Sequence, residues 1–432
     1  QKACFLMKIR EKLSLKLSNN TLMMSIGLGI RMIIQALLFI LSARFLRVEQ
    51  FGLFSAIQAL VTLSFPLANW GSGYILIKHV SRGTRPFDLM WSTSLYVTLI
   101  LSTVLIVFLS IVTCWMYSFE ISIRVTLPIA LGDLLGLALV TISSQAFQSR
   151  EFFLQTSSVW VILSLARLSS IGLLFGLPVE INIENWAIFY GLGGLLGGII
   201  SICWVISKFG LKRLSMNGME NEWQQGLYFS VSVSAQGVYN NIDKTLLSQL
   251  VSNNVAGLYS VAYKVVDFFT VPIQSLTYVL FHEIFKNGKI GPANVYRSMV
   301  KISPWSLTLG IFSLITMVLF STMFSSVFGN EFQQSSLVAL FLSPLIIFRS
   351  FHYLAANALA GSDYQNIRSW FQIGIAILIL LLNLLLIPIY GIWGAIITSL
   401  VSDFLLALGM LLFMVGINNS WRLFKGTLRG NY

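Results

Sequence analysis

The apolar runs decide what this chain can fold into. Between residues 20 and 414, stretches of about twenty apolar residues follow one another with only short turns between them. About twenty such residues let an α-helix cross a hydrocarbon core of ~30 Å. Twelve runs fit that template, at 20–42, 51–74, 88–111, 123–146, 154–176, 186–207, 226–250, 255–280, 303–325, 334–357, 367–388 and 391–414. In lipid every backbone polar group must be satisfied within the segment, so runs of this length read as helices. The fold class expected is an all-α polytopic membrane protein. Only 10% of the 432 residues are charged and 56% are hydrophobic, too little charge to cover a soluble surface. No soluble domain can be placed between the runs. A cleaved leader does not fit either, because the runs recur along the whole chain, and Gln1 reads as a truncated or processed end.

Lys and Arg set the orientation. Of the 28, twenty fall on one set of connections and termini, while Arg44, Arg47 and Arg124 fall on the opposite set, and five lie inside the runs. Both termini are therefore expected in the cytoplasm. The formal charge of +12 becomes a positive-inside bias and needs no nucleic acid to explain it. The basic stretch KIREKLSLKLS (8–18) reads either as a plain cytoplasmic tail or as a segment lying on the anionic inner leaflet. The organisation expected is a cytoplasmic segment 1–19, a six-helix lobe 20–207, a cytoplasmic linker 208–225, a second six-helix lobe 226–414 and a tail 415–432. Cys4, Cys114 and Cys203 lie far apart, without metal spacing or the makings of a disulfide framework.

The two lobes are expected to be copies of one design. GLFS at 52–55 returns as GLYS at 257–260, an offset of 205, each just after a short turn and each followed by a proline, Pro66 or Pro272. Both copies run from outside to inside, as a parallel repeat would. The prolines are expected to kink their helices, either as static bends or as hinges. In GLGGLLGG (191–198), the glycines four apart favour close helix packing.

Nine ionisable groups other than histidine fall inside the runs: Arg31, Asp133, Arg167, Asp243, Lys244, Lys264, Asp267, Arg349 and Asp403. A charge at the bilayer centre costs ~2.5–3.5 kcal/mol on insertion scales, so each needs a partner or a purpose. Asp133 and Arg167 are equidistant from the turn near 150 and are expected to pair across neighbouring helices. Lys264 and Asp267 share a helix face, with Asp243 near the same depth, while Lys244 points elsewhere. Arg349 and Asp403 can pair if the tenth and twelfth helices touch. Arg31 is left without an acidic partner, with only Gln35 one turn on. His352 lies one turn from Arg349, whereas His79 and His282 read as surface histidines.

ARFLRVEQFGLFS (43–55), IDKTLLSQLVSNNVAGLYSVAYKV (242–265) and IPIYGIWGAIITS (387–399) are similar to stretches of Wzx-type polysaccharide flippases. These belong to the multidrug/oligosaccharidyl-lipid/polysaccharide exporter superfamily. The resemblance covers the whole chain in length and order of spans, but its motifs are diffuse. It implies two six-helix lobes forming a V around a central cavity open alternately to either side. It also implies a multi-pass place in a bacterial inner membrane. The implied cargo is an undecaprenyl-pyrophosphate-linked oligosaccharide, moved to the periplasmic leaflet. Neither a cofactor nor a metal is implied. A polysaccharide polymerase and a chain-length regulator are the protein partners such a role suggests.

On that resemblance Arg31, Lys244 and Arg349 are candidates to contact the pyrophosphate, since guanidinium forks suit phosphate oxygens. Asp243, Asp267 and Asp403 are candidates for coupling to protons or sodium. Two rivals stay open. A multidrug exporter shares the fold, although a cationic cargo favours an acidic path. A membrane enzyme of the same pathway needs a large extramembrane loop and acid/base groups, and neither a long loop nor a paired-carboxylate, Ser/His/Asp or HExxH arrangement is present.

Overall fold

The computed structural model describes residues 2–211, 216, 219, 222–288, 291–362 and 364–429, with side chains from Ile26 to Asn418 apart from 229, 232 and 278–290. The side chains of the basic stretch 8–18, Cys4, His282 and much of the segment 208–225 lie outside the described residues. Among the described residues there is no strand. The helices are α1 (Lys2–Ala68), α2 (Ser72–Ser81), α3 (Phe87–Met116), α4 (Phe119–Ser149), α5 (Phe153–Gly176), α6 (Ile183–Phe209), α7 (Trp223–Leu250), α8 (Asn253–Gly288), α9 (Pro292–Ser321), α10 (Asn330–Leu342), α11 (Pro344–Gly361), α12 (Gln365–Tyr390) and α13 (Ile392–Arg429).

The chain is an all-α, multi-pass membrane protein. Among the described residues eight helices are long and apolar enough to cross a bilayer, or nine when α10 and α11, bent by 47°, are taken as one span. The expected twelve runs all fall in helical stretches, but the count differs for two physical reasons. The first two runs are fused into α1, which breaks at Arg47 without a loop (φ 57°, ψ 170°). In addition, the described residues of α7 and α8 contain no stretch that is apolar enough to count.

The break at Arg47 was not foreseen, since the prolines were the expected bend points. Pro66 lies in the last turn of α1, and α8 continues through Pro272. A non-glycine residue at φ 57° is strained, so its surroundings must hold it. Part of that hold is visible, because Glu331 Oε2 accepts the Val48 N–H at 3.3 Å at the head of the second arm of α1. A carboxylate there satisfies an otherwise unpaired helical donor.

By internal contacts the chain divides into two compact units, one of residues 1–46 and 57–234, the other of 47–56 and 235–432. The first has a core built on Trp91, Phe147, Val159, Leu163 and Val205. In it, α6 packs against both α4 and α5. A Cβ on Gly193 would lie 2.6 Å from Arg167 Cα, and one on Gly198 would lie 2.8 Å from the Gly136 carbonyl. The glycines four apart therefore serve two interfaces, and only glycine permits both.

The second unit has its core on Val295, Leu354, Leu359, Ile379 and Met410. Its helix α11 packs against α8, α9 and α13. Here the repeat takes physical form. A Cβ on Gly52 would strike the Asn253 carbonyl, and one on Gly257 would strike the Val48 carbonyl. Val48 and Asn253 are separated by the same 205 residues as Gly52 and Gly257. The repeated tetrapeptides therefore cross each other as a matched pair, each glycine lying against the backbone of its counterpart's helix.

Candidate functional site

The membrane-depth charges form one group in each unit. In the first, α4 widens into π-helical turns at Ser122–Thr126 and Leu131–Gly136, the second of which carries Asp133. Arg167 of α5 donates through Nη2 to Asp133 Oδ1 and, at 3.2 Å, to the Gly132 carbonyl. The Tyr190 hydroxyl of α6 donates to Asp133 at 3.2 Å and accepts from Gln58 Nε2 at 2.7 Å. The Tyr190 ring lies 4.4 Å from the guanidinium centre. Asp133, Arg167 and Tyr190 are all buried. The equidistance of Asp133 and Arg167 from their turn translates directly into this contact.

Arg31 lies apart from that pair. Its guanidinium carbon sits 4.0 Å from the centre of the Trp160 ring. Trp160 is itself fixed by donation from Nε1 to Ser144 Oγ at 3.0 Å. The buried Nε of Arg31 has no hydrogen-bond partner, and no ion pair reaches Arg31 among the described residues. Arg167 is the neighbouring charge, of like sign and already held by Asp133. The half-buried cation is thus backed by an aromatic face with its fork unfilled.

The second unit joins four helices. On α8, Tyr259, Tyr263 and Asp267 stand at i, i+4 and i+8, and on α13 Ser399 and Asp403 stand one turn apart, so each set shares a face. Arg349 of α11 reaches both rows. It donates to Asp267 Oδ1 at 2.6 Å, to the Tyr263 hydroxyl at 2.6 Å and to Asp403 Oδ2 at 3.2 Å. The Asp267 side chain is 38% exposed, whereas Asp403 is 1% exposed. Asp243 of α7 accepts from the Tyr259 hydroxyl at 2.6 Å and from the Lys244 N–H at 2.8 Å, and Tyr259 also contacts Ser399 at 2.9 Å. Asp403 Oδ1 and His352 Nδ1 are buried without hydrogen-bond partners among the described residues.

Three expectations for this cluster need correcting. Lys264 does not pair with Asp267 or Asp243: its side chain is exposed, and Arg349, arriving from another helix, takes Asp267 instead. Lys244 does not point away from the cluster, since its ammonium lies 4.7 Å from the Tyr263 ring centre. It is held on α7 by Asn241 Oδ1 at 2.8 Å and the Asn240 carbonyl at 3.2 Å. Arg349, saturated by two carboxylates and a phenol, has no free fork to offer a ligand, so its place among phosphate contacts does not fit the geometry. Arg31 and Lys244 remain.

Sequence reasoning also missed a contact outside the membrane runs. Glu222 accepts from Lys78 Nζ at 3.1 Å and meets His79 Nε2 at 3.0 Å, while Trp70 Nε1 donates to the Trp223 carbonyl at 3.0 Å. His79 is therefore no free surface histidine. Burial pushes the Glu222 carboxyl up, but the hydrogen bonds and charges of Lys78 and His79 outweigh it and hold it below its ordinary 4.5. Among the described residues no group of His, Cys, Asp and Glu is arranged to hold a metal ion.

Comparison with known proteins agrees with this architecture. A family model described as polysaccharide biosynthesis protein matches residues 17–287, more than half of the chain. A Haloferax volcanii protein named as a low-salt glycan biosynthesis flippase is 24% identical over 367 residues, 83% of this chain and 75% of its own. A Shigella dysenteriae protein named as an O-antigen transporter is 26% identical over 384 residues, 85% of this chain and 92% of its own. Among solved structures, an inward-facing multidrug resistance transporter of the MATE family, in the MOP superfamily, aligns with a TM-score of 0.69 at 12% identity. That alignment covers 92% of this chain and 99% of the other, and it speaks to the fold alone.

Proposed function

The chain belongs to the polysaccharide biosynthesis protein family, and we propose that it is a flippase for lipid-linked oligosaccharide. The cargo is an undecaprenyl-pyrophosphate-linked repeat unit, carried from the cytoplasmic to the periplasmic leaflet of a bacterial inner membrane, with both termini cytoplasmic. The names of the two relatives support a polysaccharide unit as cargo. No chemical bond changes. The protein supplies a polar path for a headgroup that hydrocarbon excludes.

The observation that carries the reading is Arg31. A cation at membrane depth, backed by Trp160 and lacking a counter-ion among the described residues, is poised for an anionic guest. Its unfilled guanidinium suits phosphate oxygens, and Lys244 gives the second unit a positive charge of its own. A cationic drug gains nothing from either group, which supports an anionic headgroup over a multidrug cargo. The reciprocal element is the second-unit cluster. There, Asp243, Asp267 and Asp403 outnumber Arg349 and Lys244, so uptake of a proton or sodium ion at one carboxylate balances the charge. Movement of the cargo is thereby coupled to an ion. A polysaccharide polymerase and its chain-length regulator are the consumers such a product requires.

Deletion of the gene tests the reading. Lipid-linked repeat units are expected to accumulate on the cytoplasmic leaflet and to reappear outside when the chain is restored. Cells that export normally without it, or that are not rescued by it, contradict the reading.

A further inference from the structure

Helix α7 is too polar for its length. It runs 28 residues, yet its described residues contain no stretch apolar enough to cross a bilayer. One cause is a row at i, i+4 and i+8 made of Gln236, Asn240 and Lys244. Gln236 is exposed and Asn240 half-buried, and neither side-chain amide has a hydrogen-bond partner among the described residues. The neighbouring Asn241 differs, since it donates to the Gly237 carbonyl at 3.3 Å and accepts from Lys244. An unpaired amide in hydrocarbon is costly, so this face meets water or a polar guest.

The repeat supplies an independent reason to single out these two positions. The offset of 205 that places GLFS on GLYS also places Arg31 on Gln236 and Gln35 on Asn240. Gln35 is likewise exposed and without a partner among the described residues. The corresponding row on α1 thus reads Arg31, Gln35, Phe39, and on α7 it reads Gln236, Asn240, Lys244. The cation changes places between the copies, but an exposed or half-exposed amide stands at the middle position in both.

We propose that Gln236 and Asn240 bind the hydroxyl groups of the sugars next to the phosphate, with Lys244 at the end of the row holding the anionic group. This rests on the flippase reading above and adds where the glycan itself is recognised. Amides donate and accept, as sugar hydroxyls do, whereas phosphate oxygens only accept and acyl chains do neither. The row rises about 12 Å along the helix, enough to meet the sugars nearest the lipid. Gln236 and Asn240 are thereby specificity residues, and Lys244 is indifferent to which sugar follows.

Binding to the full chain in lipid nanodiscs separates these roles. The probes are undecaprenyl pyrophosphate without sugar and the lipid-linked oligosaccharide extracted from cells deleted for this chain. Gln236→Ala and Asn240→Ala are each expected to weaken binding of the glycan-bearing lipid about threefold to tenfold. Affinity for the bare lipid stays unchanged, which also shows that the variants are folded. Asn240→Gln, which keeps the amide, is expected to retain most of the affinity. Equal weakening for both lipids, or none for either, overturns the inference, as does a wild type that binds the two lipids equally. A wild type that binds neither lipid overturns the flippase reading and the inference with it.

Discussion

The two units treat buried charge differently. In the first, one arginine meets one aspartate, and Tyr190, Gln58 and the Gly132 carbonyl complete the set. In the second, Arg349 is shared between Asp267 and Asp403, while a third carboxylate, Asp243, leans on the neutral hydroxyl of Tyr259. A one-to-one pair is a structural brace, even with Arg167 Nε buried and without a hydrogen-bond partner among the described residues. A cluster with more carboxylates than strong partners, one of them half-exposed at Asp267, carries a charge imbalance that the pair does not. The geometry therefore assigns stability to the first group, and the proposed ion coupling places the change of state in the second.

Removing a shared arginine should do the most damage. Arg349→Gln strands two carboxylates at once and is expected to cost at least about 3–5 kcal/mol, read as a loss of thermal stability in detergent. Arg167→Met should cost a similar amount, but adding Asp133→Leu should recover most of it, because the pair then leaves together. The same rescue should fail for Arg349→Met with Asp403→Leu, since Asp267 stays behind. A full rescue there would show that the second cluster is also a plain brace.

Asp243→Asn sharpens the contrast from the other side. The amide oxygen still accepts from Tyr259, so stability is expected to change by less than about 1 kcal/mol. Transport driven by an ion gradient should nevertheless be lost, measured as uptake into vesicles with and without the gradient.

The smallest effect is expected at Glu222. Its carboxyl is held below 4.5, so the stabilisation it gives is complete above that value and is lost as pH falls through the lowered one. The wild type should lose about 1–2 °C of melting temperature more than Glu222→Gln on acidification below pH 4.5.

Much of this architecture was legible in the residues. Apolar run length marked the helical stretches, and the turn at 150 put Asp133 opposite Arg167, because antiparallel neighbours fix equal depth by counting. Counting cannot rank competitors, however. Lys264 and Asp267 share a face, but Arg349, 82 residues away in sequence, outcompetes the local partner. The break at Arg47 left no signal, because no glycine or proline marks it and the strain is held partly by Glu331, far along the chain. The tyrosines were readable in principle. Tyr259 and Tyr263, one turn apart and in line with Asp267, already mark a polar face on α8. Glu222 gave no signal, because its partners Lys78 and His79 lie 144 and 143 residues away in sequence.

The central claim is that an unpaired cation in the first unit receives an anionic headgroup, and its direct test is flipping by the purified protein. Proteoliposomes carrying lipid-linked oligosaccharide, with a membrane-impermeant probe reporting the accessible leaflet, compare wild type with Arg31→Lys and Arg31→Ala. Loss of a charge-assisted contact should slow Arg31→Ala about tenfold to a hundredfold, with Arg31→Lys in between. Undiminished flipping by Arg31→Ala would contradict the claim.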